Sequence, residues 1–314
     1  ENTTMENTRT KTTRNSLILL LTAAIWGMAF VSQSKGMDYM HPFTFNGVRS
    51  LIGAASILVY ILISRKIAGD KAAPLDWKLN VKAGLLCGIF LTIASTLQQF
   101  GIKYTSVGKA GFITTLYIIF VPMFGIFLKK KVAPVVWAAA VMAAVGMYLL
   151  CMTESLRLGA GDIMVFLCAI AFAIQIMTVD HYAARIDGAV VSCIQFTVCG
   201  VVCCIGALIW GQPTFGQLQE GLGALLYAGV LSCGVGYTLQ IVGQKGLNPT
   251  VAALIMSLES VIATISGWIA YKIGFLTTDQ TLTARQIAGC VIVFAAVILV
   301  QLPPEWFRFG KKNA

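Results

Sequence analysis

TLQQFGIKYTSVGKAGFITTLYIIFVPMFG (residues 96–125) returns, altered but in register, as TLQIVGQKGLNPTVAALIMSLESVIATISG (residues 238–267). A shift of 142 positions pairs Thr96 with Thr238, Leu97 with Leu239, Gln98 with Gln240, Gly101 with Gly243, Ala110 with Ala252, Ile113 with Ile255 and Gly125 with Gly267. Outward from this pair, ten apolar stretches form two sets of five at offsets of about 142 to 150: 16–34, 42–64, 82–102, 107–128 and 133–152, then 160–180, 188–210, 221–243, 249–273 and 285–302. A unit with an odd number of crossings enters the membrane from the opposite side in its second copy, the arrangement of inverted-repeat transporters. The expected fold is an all-α membrane protein with ten transmembrane helices in two inverted five-helix repeats, 16–152 and 160–302, flanked by cytoplasmic tails at 1–15 and 303–314.

Composition agrees with a lipid solvent. Hydrophobic residues make up 57% of the 314 and charged residues 11%, with a mean hydropathy of +0.80, whereas soluble domains are roughly one-quarter charged. Each stretch approaches the roughly 20 apolar residues of a spanning helix. The runs are continuously apolar rather than alternating, which excludes the strands of a membrane barrel.

The net charge of +10 raises the question of nucleic acid, and the placement of the 23 Lys and Arg residues answers it. With ten spans, Lys35, Lys103, Lys109, Arg157, Lys272 and Arg285 fall on one side, Arg49 lies inside a span, and all the others gather on the side of the termini. The positive-inside rule then puts both termini in the cytoplasm. The charge reports topology, and nucleic acid is not an expected partner. Lipid and a small-molecule substrate are, with the chain a monomer or a weak homodimer in a prokaryotic inner membrane.

The nine cysteines sit in or at the ends of apolar spans without a CxxC pair, as small hydrophobes do. His41 and His181 have no second ligand at metal spacing, HExxH is absent, and no GxxxxGK[ST] phosphate loop occurs. No enzyme chemistry, metal or cofactor is expected, and transport would draw on a gradient, with proton coupling as one option. Pro122 and the pair Gly234 and Gly236 are where bends are expected.

Ionisable groups at membrane depth are costly and mark function. Arg49 in the second span and Glu259 near the middle of the ninth fit that description. Across the repeat, Arg49 aligns with Gln195 at an offset of 146, and Glu259 with Tyr117 at 142. Gln98 and Gln240 form a matched amide pair, and Trp26 and Tyr237 offer aromatic surface at similar depth. These eight residues are the expected substrate-binding set. Two readings of the charges stand side by side: a structural ion pair or caps on neighbouring backbone groups, or Arg49 for an anionic group with Glu259 for an amine or a coupling proton, which a zwitterionic amino acid would satisfy.

The run Ala24 to Phe30 (AIWGMAF), Arg49, Tyr104-Thr105-Ser106, Val121-Pro122, Gly161-Asp162 and Leu258-Glu259 resemble, in order and spacing, EamA-type members of the drug/metabolite transporter superfamily. The resemblance covers nearly the whole chain in two EamA-like repeats. It implies ten helices, both ends in the cytoplasm, a central cavity between the halves, and export of amino acids or other small metabolites. Ser260 follows Glu259 where many members carry Pro, and Lys272 stands where they carry Glu. Multidrug efflux is the nearest alternative, although the acidic residue of four-helix multidrug pumps is missing from the first span. A channel or uniporter for small solutes is the next.

Overall fold

A computed structural model of the chain describes residues 2–69, 74–129, 132–151, 159–277 and 279–301. The expected tail 303–314 and several of the charges used for topology, among them Lys130, Lys131 and Arg157, lie outside the described residues. The described chain is helical throughout: α1 (Asn2–Gly36), α2 (Pro42–Ala68), α3 (Trp77–Ile102), α4 (Val107–Thr115), α5 (Tyr117–Phe127), α6 (Pro134–Cys151) and α7 (Ala160–Tyr182). These are followed by α8 (Gly188–Gly206), α9 (Phe215–Glu220), α10 (Leu222–Leu226), α11 (Tyr237–Gln244), α12 (Pro249–Met256), α13 (Glu259–Lys272) and α14 (Ala284–Gln301).

Eight segments are long and apolar enough to cross a membrane: Thr12–Gly36, Pro42–Ala68, Trp77–Ile102, Val107–Phe127, Ala160–Tyr182, Gly188–Gly211, Leu222–Gln244 and Pro249–Lys272. Two shorter apolar helices, Pro134–Gly146 and Ala284–Leu299, fall in the fifth and tenth expected stretches. The protein is a multi-pass membrane protein. Residues 2–15, expected as a tail, continue α1 as helix.

Helix starts are set by side chains that satisfy free amide groups. Asp76 accepts from the Leu79 amide, Asp187 from Ala189 and Val190, Asn248 from Thr250, and His41 Nδ1 from Phe43. Pro42 and Pro249 occupy first-turn positions where no N–H is needed. Gly246 and Gly274, both at φ 75°, take the left-handed turns that follow α11 and α13.

The fourth and ninth stretches are each broken at one equivalent place. Leu116 between α4 and α5 (φ −58°, ψ −9°) and Leu258 before α13 (φ −59°, ψ −14°) adopt nearly the same tightened conformation, 142 residues apart. A hydroxyl stands beside the break in both copies. Thr115 Oγ1 donates to the Phe112 carbonyl at 2.9 Å and Ser257 Oγ to the Leu254 carbonyl at 2.7 Å, so a hydroxyl competes for the helix's own acceptors in both copies. Pro122, where a bend is expected, lies inside α5, and the break at Leu116 stands about one and a half turns ahead of it. The eighth stretch departs from α-helix where glycines were noted: Tyr227–Gly236, containing Gly234 and Gly236, is a π-helix, a distortion that often accompanies functional sites.

Close crossings rely on small residues, as expected where helices pack in lipid. A Cβ on Gly53 of α2 would lie 2.6 Å from Cys233 Cβ, and one on Gly229 would lie 2.7 Å from Ile52 Cγ2 and 3.0 Å from the Arg49 carbonyl. Likewise a Cβ on Gly27 would meet Ile262 at 2.6 Å and the Glu259 carbonyl at 2.7 Å. The backbones carrying Arg49 and Glu259 are thus held at close crossings that only glycine permits. α1 packs on α11, α12 and α13, α7 on α3, α4 and α5, and α2 on α8.

Candidate functional site

A cavity lies where α1, α2, α3, α7, α11 and the helix breaks converge. Trp26, Arg49, Gln98, Tyr117, Tyr237, Gln240 and Glu259 all line it, together with Gln33, Asn46, Ser95, Gln175 and others. Gln195 is the exception among the eight expected residues: it is fully buried behind the wall, its Oε1 3.5 Å from Gln175 Nε2. The free volume is about 30 Å³, space for water-sized molecules only.

The breaks place the two equivalent residues face to face. Tyr117 opens α5 and Glu259 opens α13, and the Tyr117 hydroxyl donates to Glu259 Oε1 at 2.9 Å. Glu259, 4% exposed, sits at the amino end of its half-helix, where the peptide dipoles favour a carboxylate.

Arg49, 5% exposed, takes a different partner. Its Nε donates to Asn46 Oδ1 at 2.9 Å, and its guanidinium lies 5.5 Å from the centre of the Phe45 ring. Because Nε can only donate, the Asn46 amide has one orientation, oxygen to Arg49 and nitrogen to Ser95 Oγ at 3.0 Å and Cys203 Sγ at 3.4 Å. Ser50 and Ser95 each reach Cys199 Sγ at 3.4 Å. A knot of short polar side chains from α2, α3 and α8 therefore orients the guanidinium. Among the described residues the ion pairs are Lys35–Asp38, Arg65–Asp187 and Lys109–Asp162. The expected alternative of an Arg49–Glu259 ion pair is not formed, because each group is held by its own neutral partner.

Gln98 and Gln240 do not meet. Gln98 Nε2 donates to Thr114 Oγ1 at 3.2 Å, while Gln240 Nε2 donates to Gln175 Oε1 at 3.1 Å. The aromatic wall is continuous: Trp26 and Tyr237 have ring centres 4.5 Å apart, and Tyr237 meets Phe196 edge-on at 5.0 Å. Trp26 Nε1, a donor, and Gln33 Oε1, an acceptor, are buried on the wall without a protein partner among the described residues. Asn46, Ser95 and Gln33 on this wall are not among the expected residues. Short polar residues are common in spans, and only the spacing of Asn46 three positions before Arg49, one helical turn, hinted at contact.

Outside the cavity lining lies an ion pair the sequence did not single out. Lys109 Nζ lies 2.6 Å from Asp162 Oδ2, and Asp162 also accepts from Thr105 Oγ1 at 2.8 Å and from the Gly159 amide at 2.9 Å. Thr105 and Asp162 belong to two of the motifs noted in the sequence, and here they join α7 to the start of α4.

A family model described as the EamA-like transporter family matches residues 14–152 and again 159–302. The chain belongs to the EamA-like transporter family. Its relatives include an uncharacterized transporter of Archaeoglobus fulgidus, 27% identical over 290 residues, covering 90% of this chain and 84% of the relative. Another is the uncharacterized transporter YwfM of Bacillus subtilis, 24% identical, with 92% and 94% covered. A solved crystal structure shares the fold at a TM-score of 0.72 and 16% identity, covering 94% of this chain and 99% of that one. As an EamA-like protein the chain is a membrane transporter.

Proposed function

We propose that this EamA-like protein is a secondary transporter that exports small zwitterionic metabolites, amino acids foremost, by alternating access between two inverted five-helix halves. The observation that carries the reading is the pair Arg49 and Glu259. Two opposite charges line one buried cavity, and each is held by a neutral partner, Asn46 or Tyr117, rather than by the other. A buried charge left without an opposite charge is costly, so a ligand bearing a carboxylate and an ammonium group gains from both. Trp26 Nε1 and Gln33 Oε1 add a free donor and a free acceptor on the same wall.

Size supports movement. Small-molecule pockets span roughly 300–1,000 Å³, far more than the cavity's free volume, so a metabolite is admitted only when the helices part. The broken helices α4/α5 and α12/α13 and the π-helix Tyr227–Gly236 are the elements built to yield. Glu259 is also the residue that would carry a coupling proton. No enzymatic role is assigned.

Counterflow in proteoliposomes tests the proposal. Vesicles loaded with unlabelled amino acid should accumulate labelled amino acid transiently and saturably. A non-saturating flux without counterflow would identify a channel, and accumulation of cationic aromatic drugs in preference to amino acids would identify a multidrug transporter.

A further inference from the structure

A second, larger cavity lies away from the substrate site. This groove of about 610 Å³ is bounded by the carboxyl end of α2, the start of α3, the α7–α8 turn and the end of α11. Arg65, Arg185 and Lys245 line it with two carboxylates, Asp76 and Asp187. Both carboxylates are committed to capping helices, Asp76 on the Leu79 amide and Asp187 on Ala189 and Val190. Of the cations, Arg65 reaches Asp187 only at 3.9 Å, Lys245 Nζ donates to the Ile186 carbonyl, and Arg185 donates to the His181 carbonyl. The lining is net positive.

The groove exists because the repeat is asymmetric here. At the offsets of 142 and 146, Ser64, Ala189 and Val242 in the groove correspond to Trp210, Phe43 and Phe100. Asp187 and Lys245 correspond to His41 and Lys103, and the capping role is kept, Asp187 and His41 each accepting the amide two residues on. At the far end of α2 the three rings fill the equivalent space: Phe43 lies 5.0 Å from Phe100 and 5.5 Å from Trp210 between ring centres. Replacing three rings by a hydroxymethyl, a methyl and an isopropyl group leaves the groove open at one end only. Its mouth runs onto the lateral apolar surface of α2 on the side of Tyr60, where Tyr60, Ile63 and Ile67, at i, i+3 and i+7, are 60%, 54% and 81% exposed.

We propose that this groove binds the headgroup of an acidic phospholipid, its phosphate between Arg185, Lys245 and Arg65 and its acyl chains along the exposed face of α2. Basic pockets between helices near a membrane surface suit such headgroups. Continuity with the apolar flank of α2 favours a lipid over a soluble phosphate.

Purified full-length protein in neutral detergent is titrated with phosphatidylglycerol, phosphatidylcholine or soluble glycerol phosphate, and retained ligand is read by native mass spectrometry beside thermal unfolding. Phosphatidylglycerol should bind and stabilise, and phosphatidylcholine should not. Arg185→Gln and Lys245→Gln should each weaken phosphatidylglycerol about fivefold, and Lys245→Arg should restore it. Ser64→Trp combined with Ala189→Phe, which rebuilds the opposite end's rings with every charge intact, should abolish binding. Arg185 is exposed, so its variant tests the charges even if the ring variant fails to fold. Equal retention of both lipids, or unchanged affinity in Arg185→Gln and Lys245→Gln, overturns the proposal. Glycerol phosphate bound as tightly as phosphatidylglycerol overturns the lipid assignment.

Discussion

Replacing Asn46 by Asp changes one atom's element and places a carboxylate against the guanidinium of Arg49. The Asn46 oxygen already lies 2.9 Å from Arg49 Nε, so the new charge needs no rearrangement, and Ser95 Oγ can reverse its role from acceptor to donor. Two unit charges about 4 Å apart attract by roughly 4 kcal/mol at an effective dielectric constant near 20. Arg49 is then neutralised before any substrate arrives. A substrate carboxylate that relied on it loses a comparable amount, on the order of a thousandfold in Kd. The truncation Asn46→Ala acts differently: it removes a charge-assisted hydrogen bond, costs about 1.5–3 kcal/mol of stability, and leaves the positive charge in place. Equilibrium binding of amino acids to purified protein, paired with thermal unfolding in detergent, separates the two. Asn46→Asp should keep its unfolding midpoint within a few degrees and lose amino-acid binding, while an amine without a carboxylate binds at least as well as before. Wild-type amino-acid affinity in Asn46→Asp would refute the placement of Arg49 at the substrate carboxylate.

Tyr117→Phe removes the hydroxyl that holds Glu259, and the half-saturating substrate concentration in counterflow should rise about tenfold, the value of one hydrogen bond to a charge; an unchanged value would show that Glu259 is positioned by other means. Lys109→Met strands Asp162, 4% exposed, and should cost about 3 kcal/mol in unfolding, most of it recovered when Asp162→Asn is added; a single variant as stable as wild type would remove the ion pair from the account. His41 titrates outside the spans, and burial together with the nearby Lys103 holds its imidazole below the usual value of 6.5. Because the unfolded chain takes up the proton first, the His41 contribution is complete above about pH 6.5 and is lost as pH falls through the folded value; His41→Asn, which keeps a capping oxygen, should flatten the midpoint between about pH 7.5 and 5. An unaltered slope in that variant would assign the pH dependence elsewhere.

The sequence resolved the fold where chemistry repeats. Helical stretches follow from apolar length, and the offset of 142 that aligned Tyr117 with Glu259 also aligns Thr115 with Ser257, the hydroxyls beside both breaks. That Tyr117 and Glu259 would touch was not legible, because equivalence in a repeat does not state whether equivalent residues meet at the axis. Gln98 and Gln240 are equally matched and bond to different partners. Gln195 aligned with Arg49 and stands behind the cavity wall, where α8 presses on α3 so closely that a Cβ on Gly88 would lie 3.2 Å from the Gln195 Cα. Lys109 enters the sequence reading only as a charge on the side opposite the termini, and its bond to Asp162 is a contact between residues 53 apart that no local pattern announces. Asn46, which orients the guanidinium, is visible in the sequence only as one more short polar residue in a span.

The central claim is that Arg49 and Glu259 receive opposite ends of one substrate. Binding of an amino acid, its decarboxylated amine and its deaminated acid to wild type, Arg49→Gln and Glu259→Gln tests it most directly. Arg49→Gln should lose the acid and weaken the amino acid while keeping the amine, and Glu259→Gln should lose the amine and weaken the amino acid while keeping the acid. Two variants that weaken all three ligands alike, or neither ligand class selectively, would contradict the assignment of the two charges to the two ends of the substrate.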